Sequence, residues 1–501
     1  MRADRERRET MCGRSGTTAA RALAVLVGPA LLAGCLKVGP DYAPEDLTDR
    51  YRDGFRTGAT AGETTSLATS APVGEWWRQF EDPELERLVQ ALVGGNLDLA
   101  AARERIVEAR ARRGIVRADR LPHVDLEGQA QAAGTGEEAL NFVGPPPGEE
   151  AEIYAAGALA GWEIDLWGRV GRLVEAADRE IEARVADYGD VVVSLAAELA
   201  LAYVDARTLE QRIDMLDRNV ELLESSLEIV ESRHRAGIGT ELDVRQSRRV
   251  LERTRAERPP LLRAREVAYN RIAVLIGEPP VDGVITAGEL PRPPGLVGIG
   301  IPADLLARRA DVRRADRDYA AAVARVGSTM AERYPRLSLF GSLKFQTDDA
   351  GALLDPEAMV FSIGPTLRWP LFAGGQISSN VRVRESQAEQ ARLLLERTVL
   401  EAVREVDDAA VGVAQNQRRV LRLRQAAADA RHSVALSEQL YKAGLGSLLQ
   451  LIDAQRALVA VEDELLVARQ DELGGIVRLY RTLGGGWESL PPAVATGGAE
   501  R

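Results

Sequence analysis

This chain has almost no cysteine. Of its 501 residues only Cys12 and Cys35 are cysteines, so a network of disulfides cannot staple the fold. Histidine is nearly as scarce. His123, His234 and His432 are scattered without metal-ligand spacing, and neither a phosphate loop nor a nucleophile elbow is present. Gly484-Gly485-Gly486 stands where glycine ends a helix and does not read as a phosphate cradle. No catalytic, cofactor-binding or metal-binding set emerges, and an enzyme is not expected. Positive charge is in deficit, with a formal net charge of −12, which argues against a nucleic-acid partner. No apolar run is long enough for a transmembrane helix, although a β-barrel would escape that test. Proline is missing from two very long stretches, Arg169 to Ala236 and Gln376 to Ala443.

Those proline-free stretches carry heptads. Val192, Leu199, Ala206, Ile213, Val220 and Leu227 recur every seven residues, with a companion row at Leu195, Ala202, Leu209, Leu216, Leu223 and Val230. Shifting the numbering by 207 gives Val399, Val406, Val413, Val420, Ala427 and Val434, apolar at every step. A seven-residue seam winds helices into a left-handed supercoil. At the α-helical rise each rod would span roughly 100 Å, which suits a fibre, a scaffold or a tube better than a compact enzyme.

The same shift maps Trp162 and Gly168 onto Trp369 and Gly375, and Ala236-Gly237-Ile238-Gly239-Thr240 onto Ala443-Gly444-Leu445-Gly446-Ser447. The unit is duplicated: helix, strand, strand, long helix, glycine turn, helix. The last helix spans Leu242 to Leu275 in the first copy, where Pro259-Pro260 should break it, and Leu448 to Leu483 in the second. The expected strands are 122–133 and 152–166, then 335–346 and 359–372, and the long helices 169–236 and 376–443. From Val124 to Ala132 apolar and polar residues alternate; Leu337 to Gln346 does so less cleanly because of Phe340. A strand of about ten residues with one apolar face and a terminal tryptophan fits a transmembrane β-barrel. A water-facing antiparallel sheet alternates the same way, so the pattern alone leaves both open. Counting favours the barrel only if it is shared. Open sheet edges cannot stand in lipid, and the smallest single-chain barrels have about eight strands, so four strands per chain need several chains.

Residues 1–34 combine arginines with a short apolar run, Ala22 to Ala33, as a secretory signal peptide does. Leu32-Ala33-Gly34-Cys35 is similar to a bacterial lipobox, which makes Cys35 the lipidated first residue of the mature chain. Met11 is an alternative start. The expected organisation is a signal peptide (1–34), a lipidated linker (35–75), repeat 1 (76–290), repeat 2 (301–487) and a flexible tail (488–501).

Val38-Gly39-Pro40-Asp41-Tyr42, Trp76-Trp77 to Phe80, Asn96-Leu97-Asp98-Leu99, Trp162 to Arg169, Ile301 to Leu306, Tyr441 to Gly444, Asp453-Ala454-Gln455-Arg456 and Leu483 to Trp487 occur in order. In that order they resemble the TolC-like outer-membrane factors, and most closely their lipoprotein branch, the OprM/NodT type of resistance-nodulation-division efflux pumps. The resemblance implies a mainly α fold with a membrane β-barrel contribution. It implies a homotrimer whose twelve strands close one barrel in the outer membrane of a Gram-negative bacterium, continuous with a coiled-coil α-helical tunnel through the periplasm. It implies a passive exit duct working with a periplasmic adaptor (membrane fusion) protein and an inner-membrane transporter, with no cofactor beyond the lipid on Cys35. The turns at Gly237, Gly239, Gly444 and Gly446 become adaptor-docking tips, and Asp243, Tyr441, Asp453 and Arg456 the periplasmic gate. Asp243 also fits a capping box with Thr240, so both roles stay open. Where the family often has another aspartate this chain has Gln450. Ala310 and Ala373 likewise replace a usual proline and aspartate. A type I secretion channel and a lipid-anchored periplasmic scaffold without a barrel remain the rivals.

Overall fold

Heptad burial and glycine punctuation decide where this chain is helical. The computed structural model describes residues 37–44, 74–138, 149–281, 283–294 and 308–487. A short 3₁₀ helix, Trp76–Phe80, precedes α1 (Pro83–Gly95) and α2 (Leu97–Ala118). Strands β1 (His123–Gly134) and β2 (Glu150–Ile164) lead into α3 (Arg169–Arg235), α4 (Glu241–Ala256) and α5 (Arg258–Leu275). The second copy runs α6 (Ala310–Ala331), β3 (Arg336–Thr347), β4 (Met359–Arg368), α7 (Gln376–Lys442) and α8 (Leu448–Thr482). Both long helices have 67 residues, within a residue of their expected ends, and the second repeat's seam from Val399 to Val434 is buried throughout. The helix after the first turn is broken at Pro259-Pro260 as expected. Ala310 occupies the first position of α6, where proline is tolerated, so the substitution leaves the helix start intact.

The strands stand within about two residues of expectation, with one correction. β4 ends at Arg368 and not at 372. Pro370 has no N–H for a ladder, and Trp369 is diverted, its Nε1 donating to the Arg333 carbonyl at 3.2 Å.

The chain divides into two units. The first takes the described residues of Met1–Ala43, Ala109–Ile181 and Asp318–Arg392 and contains the antiparallel sheet, in order β1-β2-β3-β4. Its N-terminal segment is tied down by Arg172, which is fully buried. The guanidinium donates to Asp41 Oδ1 at 2.7 Å and to the carbonyls of Val38 and Gly39 at 3.3 and 3.2 Å. The Val-Gly-Pro-Asp-Tyr motif is thus a built contact that satisfies a buried charge.

The second unit holds the main core. Trp76 stacks on Tyr480 with ring centroids 5.4 Å apart, and Leu85, Leu92, Leu99, Leu199, Ile272 and Ile476 pack in the same cluster. Gly189, mid-helix in α3, has a packing reason: a Cβ there would sit 2.7 Å from the Trp487 ring. Gly412, mid-helix in α7, faces open space. Gly189→Ala should therefore destabilise by about 1–3 kcal/mol through overpacking. Gly412→Ala should stabilise by about 0.5–1 kcal/mol, the helix-propensity difference alone. Denaturant melts of the two purified variants, read against wild type, check the opposite signs.

Candidate functional site

Two regions stand out as candidate sites, one in each unit. In the first, the strand register sorts side chains into faces. Directly opposed residues point to the same side of a sheet. Across all four strands, Val124, Ala160, Gly341 and Ile363 line up, and so do Leu126, Ala158, Leu343 and Phe361. Trp162, Leu339 and Pro365 form a further row, and Ile164, Leu337 and Leu367 another. One face is therefore continuously apolar, and it lies bare: Leu126 is 87%, Phe361 70% and Ile363 74% exposed. The opposite face is mixed, with Asp125, Leu159, Ser342 and Ser362 in one row and Glu127, Gly157, Lys344 and Val360 in the next, and it carries the charged and hydroxyl side chains. Phe340, which disturbed the alternation, belongs to this polar face, between Gly161 and Gly364. Trp162 Nε1 donates to the Arg120 carbonyl at 2.9 Å, so Trp162 and Trp369 both have their polar end satisfied at the same end of the sheet. The outer edges of β1 and β4 have no partner among the described residues. Unpaired edges on an exposed apolar sheet template further strands.

In the second unit the two glycine turns are copies of one another. Gly237 and Gly444 both have φ 76°, the left-handed conformation that favours glycine. Gly237 N–H donates to the His234 carbonyl and Ile238 N–H to that of Arg233; Gly444 and Leu445 repeat this on Tyr441 and Leu440. These bonds satisfy the carbonyls left over at a helix end. Gly239 and Gly446 follow in tight turns where a Cβ would meet main-chain or Cβ atoms at 3.2 and 3.1 Å. Each new helix opens with a capping box, Thr240 with Asp243 and Ser447 with Gln450. Each turn also displays apolar side chains at matching positions, Ile238 and Leu242 in one, Leu445 and Leu449 in the other, all strongly exposed.

The four expected gate residues separate into two kinds. Asp243 Oδ2 accepts from Thr240 N–H at 2.9 Å and from its hydroxyl at 2.8 Å, so its carboxylate is engaged in the cap. Tyr441 is buried. Arg233 stacks over its ring at 4.8 Å and donates to its carbonyl at 3.0 Å, and burial pushes the phenol's pKa up. Asp453 and Arg456, by contrast, are exposed on α8 and have no hydrogen bond or ion pair with a described residue. Arg233 escaped the sequence reading. Its counterpart after the 207 shift is Leu440, and that break in the duplication was the available signal. Cys35 and Ile301 to Leu306 lie outside the described residues.

A family model described as outer membrane efflux protein matches residues 88–278 and 301–485. The chain is 30% identical to outer membrane protein OprJ of Pseudomonas aeruginosa, over 92% of this chain and 95% of that protein. It is 29% identical to toluene efflux pump outer membrane protein TtgI of Pseudomonas putida, over 91% of this chain and 96% of that protein. Among solved structures it resembles the outer-membrane channel OprN, with a TM-score of 0.82 and 33% identity, covering 90% of this chain and 100% of that one.

Proposed function

The chain belongs to the outer membrane efflux protein family, and on that premise we propose that it is the outer-membrane exit duct of an efflux pump. It conducts passively: energy and choice of cargo come from an inner-membrane transporter of the resistance-nodulation-division type, coupled through a periplasmic adaptor protein. The observation that carries this reading is the bare apolar face of a four-stranded sheet whose two outer edges are unpaired among the described residues. A periplasmic scaffold has no use for such a face, and lipid tolerates it only if the edges are closed. Three copies joined β1 to β4 would close them, put the apolar face on lipid and turn the polar face to a water-filled lumen.

The repeated turns are the adaptor-docking tips in this reading. Exposed Ile238, Leu242, Leu445 and Leu449 offer the apolar contact that a partner hairpin would cover. The gate is assigned to Asp453 and Arg456, the two of the four that have no hydrogen bond or ion pair with a described residue, while Tyr441 and Asp243 hold the tips in shape. A lipid on Cys35 would add a second anchor to the same membrane. Purified protein added to planar lipid bilayers tests the duct directly. Discrete conductance steps are expected; a preparation that is folded by circular dichroism yet never inserts would overturn the proposal.

A further inference from the structure

The two repeats differ at a place that neither the sheet nor the tips account for. After the first turn the helix stops at Ala256 and restarts at Arg258, ahead of Pro259-Pro260. After the second turn α8 runs unbroken through the matching Leu466-Val467. Proline lacks the donor N–H and its ring collides with the carbonyl four residues back, so the break is built in. Beside it, between α3, α4, α5 and α8, lies a cleft of about 630 Å³ that is open to solvent where Arg253, Glu257 and Arg456 stand exposed. That volume is in the range of small-molecule sites, roughly 300–1,000 Å³.

Much of the cavity's wall is hydrocarbon, with Leu216, Leu261 and Val459 among its side chains. Its polar groups are unequal. Arg212 is satisfied by both oxygens of Asp463, at 2.7 and 3.1 Å. Arg253 and Arg456 also line the cavity, and neither has a hydrogen bond or ion pair with a described residue. Glu257 also lines the cavity, and its carboxylate has no hydrogen bond or ion pair with a described residue. A largely apolar cleft whose rim carries two guanidiniums and one carboxylate without partners among the described residues has spare positive charge, and a guanidinium fork matches a carboxylate or sulfonate.

We propose that this cavity binds an amphipathic organic anion, an aromatic or branched apolar body bearing one carboxylate or sulfonate, with Arg253 and Arg456 holding the acid group. Pro260 of the break lines the cavity, and the facing wall is the continuous α8 of the second repeat. The site shares Arg456 with the gate proposed above, but Arg253 and the apolar wall lie outside that gate, and binding is read independently of conduction.

Anilinonaphthalene sulfonate and phenylnaphthylamine make a matched test, since they share their rings and differ in the acid group. Binding is measured to the full chain in lipid nanodiscs, with empty nanodiscs as background. Saturable binding of the sulfonate at one site per chain is expected, with weaker binding of the neutral amine. Arg253→Gln should weaken the sulfonate about tenfold or more, as loss of one charge-assisted hydrogen bond implies, and leave the amine unchanged. Ala264→Phe should remove both by filling the cavity; if that variant does not assemble, Ala460→Phe on the α8 wall serves the same purpose. Absence of saturable sulfonate binding, equal affinity for the two probes, or binding that neither Arg253→Gln nor the filling variant moves would each overturn the proposal.

Discussion

Leu343→Arg should abolish the assembled protein in the outer membrane, whereas Ser342→Arg, one residue away, should leave it largely intact. Leu343 lies mid-strand in β3, in the apolar row with Leu126, Ala158 and Phe361. Arginine on the lipid face at mid-depth costs roughly 2–4 kcal/mol, and a shared barrel would carry that cost once for every copy. Ser342 lies in the row with Asp125, Leu159 and Ser362 on the opposite face, which also carries Lys344, so a further cation there should meet water. Heat-modifiable migration on gels of isolated outer membranes reads the difference. Equal loss in both variants would mean that the sheet does not separate lipid from lumen.

Asp453→Ala should open the resting channel. The residue is exposed on α8, one turn past the Ser447–Gln450 cap, with no partner among the described residues. Brought together in several copies, such carboxylates would repel one another, attract cations and narrow the entrance. Divalent cations on the periplasmic side should lower wild-type conductance, and the variant should show higher single-channel conductance in planar bilayers and escape that block. Stability should change by about 0.5 kcal/mol or less, because alanine suits a helix interior and no cap is lost. Conductance and cation block unchanged from wild type would make Asp453 an ordinary solvated helix residue.

What the sequence revealed and what it hid follow from range. Heptads and strand alternation are local periodicities set by burial, so the long helices, the broken helix at Pro259-Pro260 and the four strands were legible within a residue or two, apart from the end of β4. There Pro370 was visible, but the Trp369 bond to Arg333 that completes the stop was not. Asp243 was legible as a capping residue because its partner is three residues away, and the structure finds the carboxylate in that cap. Arg233 on Tyr441 was not legible, since the pair is joined only by the packing of one turn against the other. Nor could the continuous apolar face be read with certainty, because it depends on the register of four strands from two halves of the chain. A slip of one residue would have scattered the rows.

The central claim is that β1 of one copy pairs with β4 of the next until the ring closes. Disulfide cross-linking across that seam tests it most directly, with a cysteine at Gln129 on β1 combined in turn with one at Val360, Ser362 or Gly364 on β4. One or more of these pairs should give, after oxidation in intact outer membranes, a ladder of linked dimer and trimer that stops at three chains and collapses on reduction. No cross-link in any pair, or a ladder that continues past three, would contradict the account.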